Sequence, residues 1–263
     1  MKKLFLTTLM TVFFMALTAG NPETVRIFMA GDSTMADKDS IAFPETGWGM
    51  VLPSFFNENV VIENHARNGR STRTFISEGR WEKMMAKVGA GDFVFIQFGH
   101  NDQSKNKPDR YTSPEDYRAN LIRFVNDVRE KGANPILFTP VMRRKFDKNG
   151  QFVDQHGVYP DLVRGVAQEM NVPLVDMHKS SEKLIVELGE EGSVKLFMHV
   201  APGESKKYPD GNIDNTHFRR EGAVEMAKLA VEGLKELNIK PLTDNLSKEE
   251  KFEIKLTKPV PNL

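Results

Sequence analysis

The chain has 263 residues, with 36 basic and 36 acidic side chains and no cysteine. Zero net charge argues against a general nucleic-acid or anionic-membrane binder, which needs a basic excess. Without cysteine there are no disulfides, thiol nucleophiles or cysteine–zinc sites, so the fold must rest on its core. The first twenty residues form a separate segment. Lys2 and Lys3 precede a mostly apolar, uncharged run from Leu4 to Ala19. Ala16, Thr18, Ala19 and Gly20 then supply the small residues of a signal-peptidase site. The apolar run is short for a membrane span of roughly 20 residues. Residues 1–20 are therefore expected to be a cleaved signal peptide, and the protein to be exported, periplasmic or extracellular, with no membrane attachment afterwards. Loss of the two lysines takes the charge to about minus two. The remaining length suits one domain with one good core.

Strand-like and helical segments then alternate. Val25–Ala30, Val60–Asn64, Asp92–Phe98, Pro135–Thr139 and Val172–Val175 are short apolar runs bounded by turn or polar residues, as in buried parallel strands. The clearest helix follows Ser113, where Ser113-Pro114-Glu115-Asp116 offers an N-cap, a proline at N1 and an acid at N3. Tyr117, Leu121, Phe124, Val125 and Val128 recur at helical spacing, and Gly132 ends the run. Residues 142–158 read as a polar excursion. A last helix is expected from about Arg219 to Leu237, with Ala223, Met226, Ala227, Ala230, Val231 and Leu234 on its apolar face. The pattern predicts a three-layer α/β/α sandwich on a five-stranded parallel sheet. One domain is expected over residues 21–240, followed by an extended tail over 241–263. The oligomeric state is not encoded in any pattern found.

Three strand ends carry residues fit for chemistry. They are Gly31-Asp32-Ser33-Thr34, Asn64-His65-Ala66-Arg67-Asn68-Gly69-Arg70-Ser71, and Gly99-His100-Asn101-Asp102. In a parallel sheet these ends lie along one edge. Acyl transfer needs a hydroxyl nucleophile, an imidazole base and N–H donors for the tetrahedral oxyanion. Ser33 is the candidate nucleophile. Gly69, with no Cβ, lets a backbone N–H approach a ligand closely. The Asn101 carboxamide and the Ser33 amide are the other candidate donors. Far down the chain, Asp214 and His217 are expected on one turn near the start of the last helix. Asp214 would orient Nδ1 of His217 and leave Nε2 for Ser33. Taken singly, each residue also has a plain structural reading. Gly31-Asp32-Ser33 and Asn68-Gly69 can be simple turns, and Asn101, Asp102 and Asp214 can cap helices.

Together these motifs resemble the GDSL/SGNH hydrolase superfamily, whose four signature residues map to Ser33, Gly69, Asn101 and His217. Gly-Asp-Ser-Thr replaces the usual Gly-Asp-Ser-Leu. With Asn-His-Ala-Arg-Asn-Gly-Arg-Ser at 64–71, Phe-Gly-His-Asn-Asp at 98–102 and Asp-Asn-Thr-His-Phe at 214–218, it is similar to the branch containing rhamnogalacturonan acetylesterases. The resemblance covers roughly residues 24–237. It implies a flavodoxin-like sandwich and removal of acetyl groups from plant pectin by a serine esterase, without metal or cofactor. Ser33, His217 and Asp214 would be catalytic. Ser33, Gly69 and Asn101 would form the oxyanion hole. His100 would help shape the crevice, and Arg70 and Arg73 could contact acidic sugars. The expected partner is an acetylated polysaccharide or oligosaccharide, with no nucleic acid. Other acyl hydrolases, such as a xylan esterase or a lipase-like enzyme, share the machinery. The neutral charge and the lack of a long apolar lid weigh against a lipase. A non-catalytic carbohydrate binder would be expected to have lost a signature position, and none is lost. A metal hydrolase on Asp32, Asp102, Asp214 and His217 would want a denser ligand motif.

Overall fold

Alternation within the apolar runs decides the layers. In the computed structural model, which describes residues 24–248, they form one parallel sheet from β1 (Val25–Gly31), β2 (Val60–Asn64), β3 (Phe93–Gln97), β4 (Asn134–Phe138) and β5 (Leu174–Val175). The strand order is β2-β1-β3-β4-β5, and every pairing is parallel. Ile27, Met29, Phe93, Phe95, Ile136 and Phe138 face one core; Phe28, Ala30, Val94, Ile96 and Leu137 face the other. Successive side chains on a strand point to opposite faces, so runs apolar at every position need cover on both sides.

That cover comes from the helices. The first core is closed by α1 (Trp48–Val51), α6 (Met177–Gly192) and α7 (Arg220–Glu236). The second is closed by α2 (Thr72–Ser77), α3 (Arg80–Met85), α4 (Pro114–Glu130) and α5 (Tyr159–Glu169). The expected three-layer sandwich is therefore the observed one. Full burial of a large apolar side chain contributes roughly 1.5–3 kcal/mol. Trp48, Trp81, Tyr117 and eight phenylalanines are among those wholly buried, which is how a fold without cysteine is held.

The expected helix signals are used as read. The Ser113 hydroxyl accepts from Asp116 N at 3.0 Å, and Gly132 takes φ +69° just past the end of α4. The expected last helix is α7, flanked by Arg219 and Leu237. Two readings are corrected. A hairpin of β6 (Phe197–Val200) and β7 (Asn212–Phe218) lies outside the main sheet and was not anticipated. The excursion over residues 142–158 is polar but anchored rather than loose: Met142, Arg144 and His156 are buried, and Phe146 bridges Phe152.

The start of the tail is a strap rather than free chain. Leu242 is fully buried in the first core. Leu246 bridges Phe56, and Ser247 N donates to Phe55 O at 2.9 Å. The proposed signal peptide and the tail beyond 248 lie outside the described residues. No helix among those described is long and apolar enough to cross a membrane.

Candidate active site

In the order β2-β1-β3, the chain leaves β1 towards one side and β3 towards the other. A crevice opens at this switch, beyond the carboxyl ends of the strands. Ser33 sits on the turn after β1. Asp32 builds that turn by accepting from Thr34 N at 2.9 Å and Thr34 Oγ1 at 2.8 Å through one carboxylate oxygen. Gly31 is needed before it, because a Cβ there would lie 2.7 Å from Met35 Sδ and 2.9 Å from Gln97 O. Thr34 explains why leucine is absent. Its hydroxyl joins a buried chain in which Trp48 Nε1 donates to Gln97 Oε1 (2.7 Å) and Gln97 Nε2 donates to Thr34 Oγ1 (3.3 Å).

The imidazole arrives from the hairpin, not from a helix. Asp214 and His217 lie on β7, correcting the expected helical placement. In a regular strand, positions three apart face opposite sides of the sheet. Here Met198 pairs with Asp214 and Phe197 with Phe218, so Asn215, Thr216 and His217 bulge out of register. Asp214 Oδ1 stitches the bulge by accepting from Thr216 N (2.7 Å) and His217 N (3.1 Å). Arg144 braces it from outside: its backbone N–H donates to Asn215 O (2.9 Å) and its Nη1 to Asn215 Oδ1 (3.1 Å). Asp214 Oδ2 then lies 2.6 Å from His217 Nδ1, and His217 Nε2 lies 2.8 Å from Ser33 Oγ. Burial pushes the Asp214 carboxyl up, but the imidazole and the two backbone N–H groups outweigh it and hold the group at about 2. An ionised Asp214 fixes Nδ1 as the donor and turns the lone pair on Nε2 towards the serine.

The loops after β2 and β3 complete the crevice. Gly69 takes φ +76°, and a Cβ there would meet Arg110 Nη1 at 3.1 Å. Neither Ser33 N–H nor Gly69 N–H finds an acceptor among the described residues. Asn101 spends one amide hydrogen on Arg70 O at 2.9 Å, leaving the other. Asp102 ties the two loops together by accepting from Thr72 N (2.9 Å) and Thr72 Oγ1 (2.6 Å). Burial pushes its carboxyl up to about 6, against the pull of those donors.

Lys38 is a residue that sequence reasoning missed. Its buried ammonium donates to Ser33 O (2.6 Å) and Asn68 Oδ1 (2.7 Å) and pairs with Glu45 at 2.9 Å. It thus joins the Ser33 turn to the Gly69 loop. A lysine five residues after a serine carries no sequence signal of that role.

Ser33, Gly69, Asn101, Asp214 and His217 all line one cavity of about 590 Å3. His100 borders it but is 2% exposed. Its Nδ1 faces Asp32 Oδ2 and its Nε2 faces Val141 O, both at 3.0 Å, so neither nitrogen is left for a ligand. Arg70 lines the cavity but is clamped to Glu78 at 2.9 Å. Arg73 lies outside it and donates to Pro108 O. The cations that share the cavity with Ser33, Asp214 and His217 and were not anticipated are Lys107, Arg110, Arg143 and Lys207. A larger cavity, about 900 Å3, opens at the opposite edge of the sheet between Thr24, Asn134 and Asn245, and has no serine or histidine in its lining.

The three acids and one histidine of the metal reading do not converge: Asp32 faces His100, Asp102 faces Thr72, and Asp214 faces His217. Among the described residues one other group has metal-site composition, namely Asp154, His156 and His178. There Asp154 lies 3.1 Å from His156 Nδ1 and 3.3 Å from His178 Nε2. The other nitrogen of His178 faces Arg164 Nη2 at 3.3 Å. A guanidinium only donates, so Nδ1 accepts and Nε2 carries its proton towards Asp154 instead of a lone pair towards a metal. Burial also pushes His156 down to about 3, keeping it neutral.

The sequence profile described as the GDSL-like Lipase/Acylhydrolase family matches residues 29–223. The rhamnogalacturonan acetylesterase RhgT of Bacillus subtilis (strain 168) is 41% identical over 226 residues, covering 86% of this chain and 96% of that protein. The probable rhamnogalacturonan acetylesterase YesY of the same organism is 40% identical over 224 residues, 85% of this chain and 98% of that protein. The crystal structure of the Bacillus subtilis protein YxiM superposes with a TM-score of 0.70 at 27% identity. The match covers 83% of this chain and 58% of that one.

Proposed function

Since this chain belongs to the GDSL-like lipase/acylhydrolase family and is a carboxylic ester hydrolase, we propose that it removes O-acetyl groups from rhamnogalacturonan through a Ser33–His217–Asp214 mechanism. The observation that carries the mechanism is the unbroken line from Asp214 Oδ2 through the His217 ring to Ser33 Oγ, at 2.6 and 2.8 Å. Ser33 Oγ attacks the acetyl carbonyl carbon and its proton passes to His217 Nε2. The carbonyl oxygen becomes an oxyanion held by Ser33 N–H, Gly69 N–H and the free Asn101 amide hydrogen. Collapse breaks the bond to the sugar oxygen, which leaves with the proton from Nε2, and an acetyl-enzyme remains. Water then gives a proton to Nε2 as it attacks the acetyl carbon. The second collapse frees acetate and returns the proton to Ser33. Asp214 keeps Nδ1–H in place and offsets the imidazolium charge in both halves.

The names of the two Bacillus relatives support the substrate, and so does the charge of the cavity. Arg70, Lys107, Arg110, Arg143 and Lys207 face only Glu45 and Asp214 there, on a protein whose formal charge is zero. Pectic rhamnogalacturonan is a polyanion, whereas xylan carries far less charge, so a cationic cleft favours the former. The proposed leader at residues 1–20 fits a polymer met outside the cytoplasm. Acetate release should be measured on acetylated rhamnogalacturonan, acetylated xylan and an aryl acetate, with Ser33→Ala as control. Pectic substrate should be turned over fastest and Ser33→Ala should be inert. Equal or faster release from xylan would overturn the substrate assignment.

A further inference from the structure

Adjacent arginines on the loop after β4 are used in opposite ways. Arg144 spends every side-chain nitrogen on the protein: Nε on Ser193 Oγ, Nη1 on Asn215 Oδ1 and Nη2 on Glu190 O. Arg143 spends one, Nη2, on His100 O at 3.0 Å. Its Nε is buried with no hydrogen-bond partner, and no carboxylate among the described residues reaches ion-pair distance. Yet it lines the cavity with Ser33, Asn101 and His217. The other guanidiniums there have carboxylates of their own, Glu78 for Arg70 and Asp109 for Arg110.

A partly buried cation without a counter-ion is costly to keep, and the cost is offset when an anion arrives. Burial lowers the pKa of the Arg143 guanidinium, while Asp32 and Asp214 act against this from a distance. A guanidinium remains charged throughout, and its planar fork suits a carboxylate. We infer that Arg143 is a substrate-binding residue that receives a carboxylate of a uronic acid in the polymer, next to the ester held over Ser33. The inference rests on the proposed pectic substrate and names the group that would distinguish it from a neutral glycan. A second carboxylate could reach the same place, that of the acetate product, and the test separates the two.

Three substrates are compared: acetylated rhamnogalacturonan, the same polymer with its carboxyls reduced to alcohols, and an aryl acetate. For the wild type, carboxyl reduction should lower kcat/KM about 10- to 100-fold, mainly through KM, the size expected for loss of a hydrogen bond to a charged group. Arg143→Gln should lower kcat/KM on the intact polymer by the same factor. It should change the reduced polymer and the aryl acetate by less than about threefold, a fraction of one such hydrogen bond. Arg143→Lys keeps the charge and should recover part of the loss. Acetate inhibition of aryl acetate turnover should be the same in wild type and Arg143→Gln.

A wild type that is active on the intact polymer but indifferent to carboxyl reduction would overturn the inference without any variant. So would an equal loss on all three substrates, which would place Arg143 in the chemical step or the fold. Acetate inhibition abolished only in Arg143→Gln would assign the site to product instead. A wild type that cleaves the aryl acetate but releases nothing from the intact polymer would overturn the substrate reading itself.

Discussion

Asp32–His100 and Asp214–His217 are the same two side chains in two settings. In the first, the carboxylate and the ring are 0% and 2% exposed, and both ring nitrogens face oxygen acceptors. Both nitrogens are therefore occupied by the protein itself. In the second, the side chains are 24% and 28% exposed, and one nitrogen faces a hydroxyl. Here the ring donates at Nδ1 and accepts at Nε2. What separates the two pairs is the partner of the second ring nitrogen: Val141 O for His100 and Ser33 Oγ for His217.

The comparison is broken most severely at Asp214–His217, the pair proposed to act on Ser33. His217→Ala should lower kcat on an aryl acetate by about 10⁶-fold with KM little changed, the scale seen when a triad base is removed. Asp214→Asn keeps the shape but lets the ring adopt the wrong tautomer, and should cost about 10⁴-fold in kcat. Asn101→Ala, next to His100, should cost about 10²–10³-fold if Asn101 is the proposed oxyanion donor. A near-normal rate would remove it from that role. His100→Gln tests the bracing pair. It should lower the free energy of unfolding by roughly 3–5 kcal/mol, as when one partner of a buried pair is lost. The folded fraction should keep far more activity than His217→Ala, as judged by active-site titration beside urea melts.

The smallest effect is on pH dependence. Burial pushes the Asp32 carboxyl up, but His100 and the Thr34 donors prevail and hold it at about 2, as Asp214 is held at about 2. In an unfolded chain each would titrate near roughly 3.9. Their stabilisation is complete above that value and is lost as pH falls from about 4 towards about 2. Asp32→Asn should therefore flatten the acid limb of a Tm-versus-pH curve. An unchanged slope would show that Asp32 is not the residue titrating there.

The five buried strands and the long helices were legible because their apolar period is unambiguous and their caps are local. Ser33, Gly69 and Asn101 were legible because topology alone places three strand ends on one edge. The β6–β7 hairpin was not, since Asn-Ile-Asp-Asn-Thr-His-Phe shows no alternation and its pairing is out of register. The proximity of Asp214 and His217 was therefore expected for the wrong reason, helical spacing instead of a bulge. The environments of Arg70, Arg73 and Arg143 were also hidden. Whether a guanidinium is paired with Glu78, spent on a carbonyl or left without a carboxylate depends on contacts between distant segments that no local pattern records.

The strap has a practical consequence. Thr24 and Asn245 both border the cavity at the amino-terminal edge of the sheet, while Ser33 stands beyond its carboxyl-terminal edge. The two ends of the described chain thus leave from the pole opposite the cleft. A carrier domain, a surface linker or a solid support joined at residue 24 or 248 would start behind the cleft and leave its mouth clear.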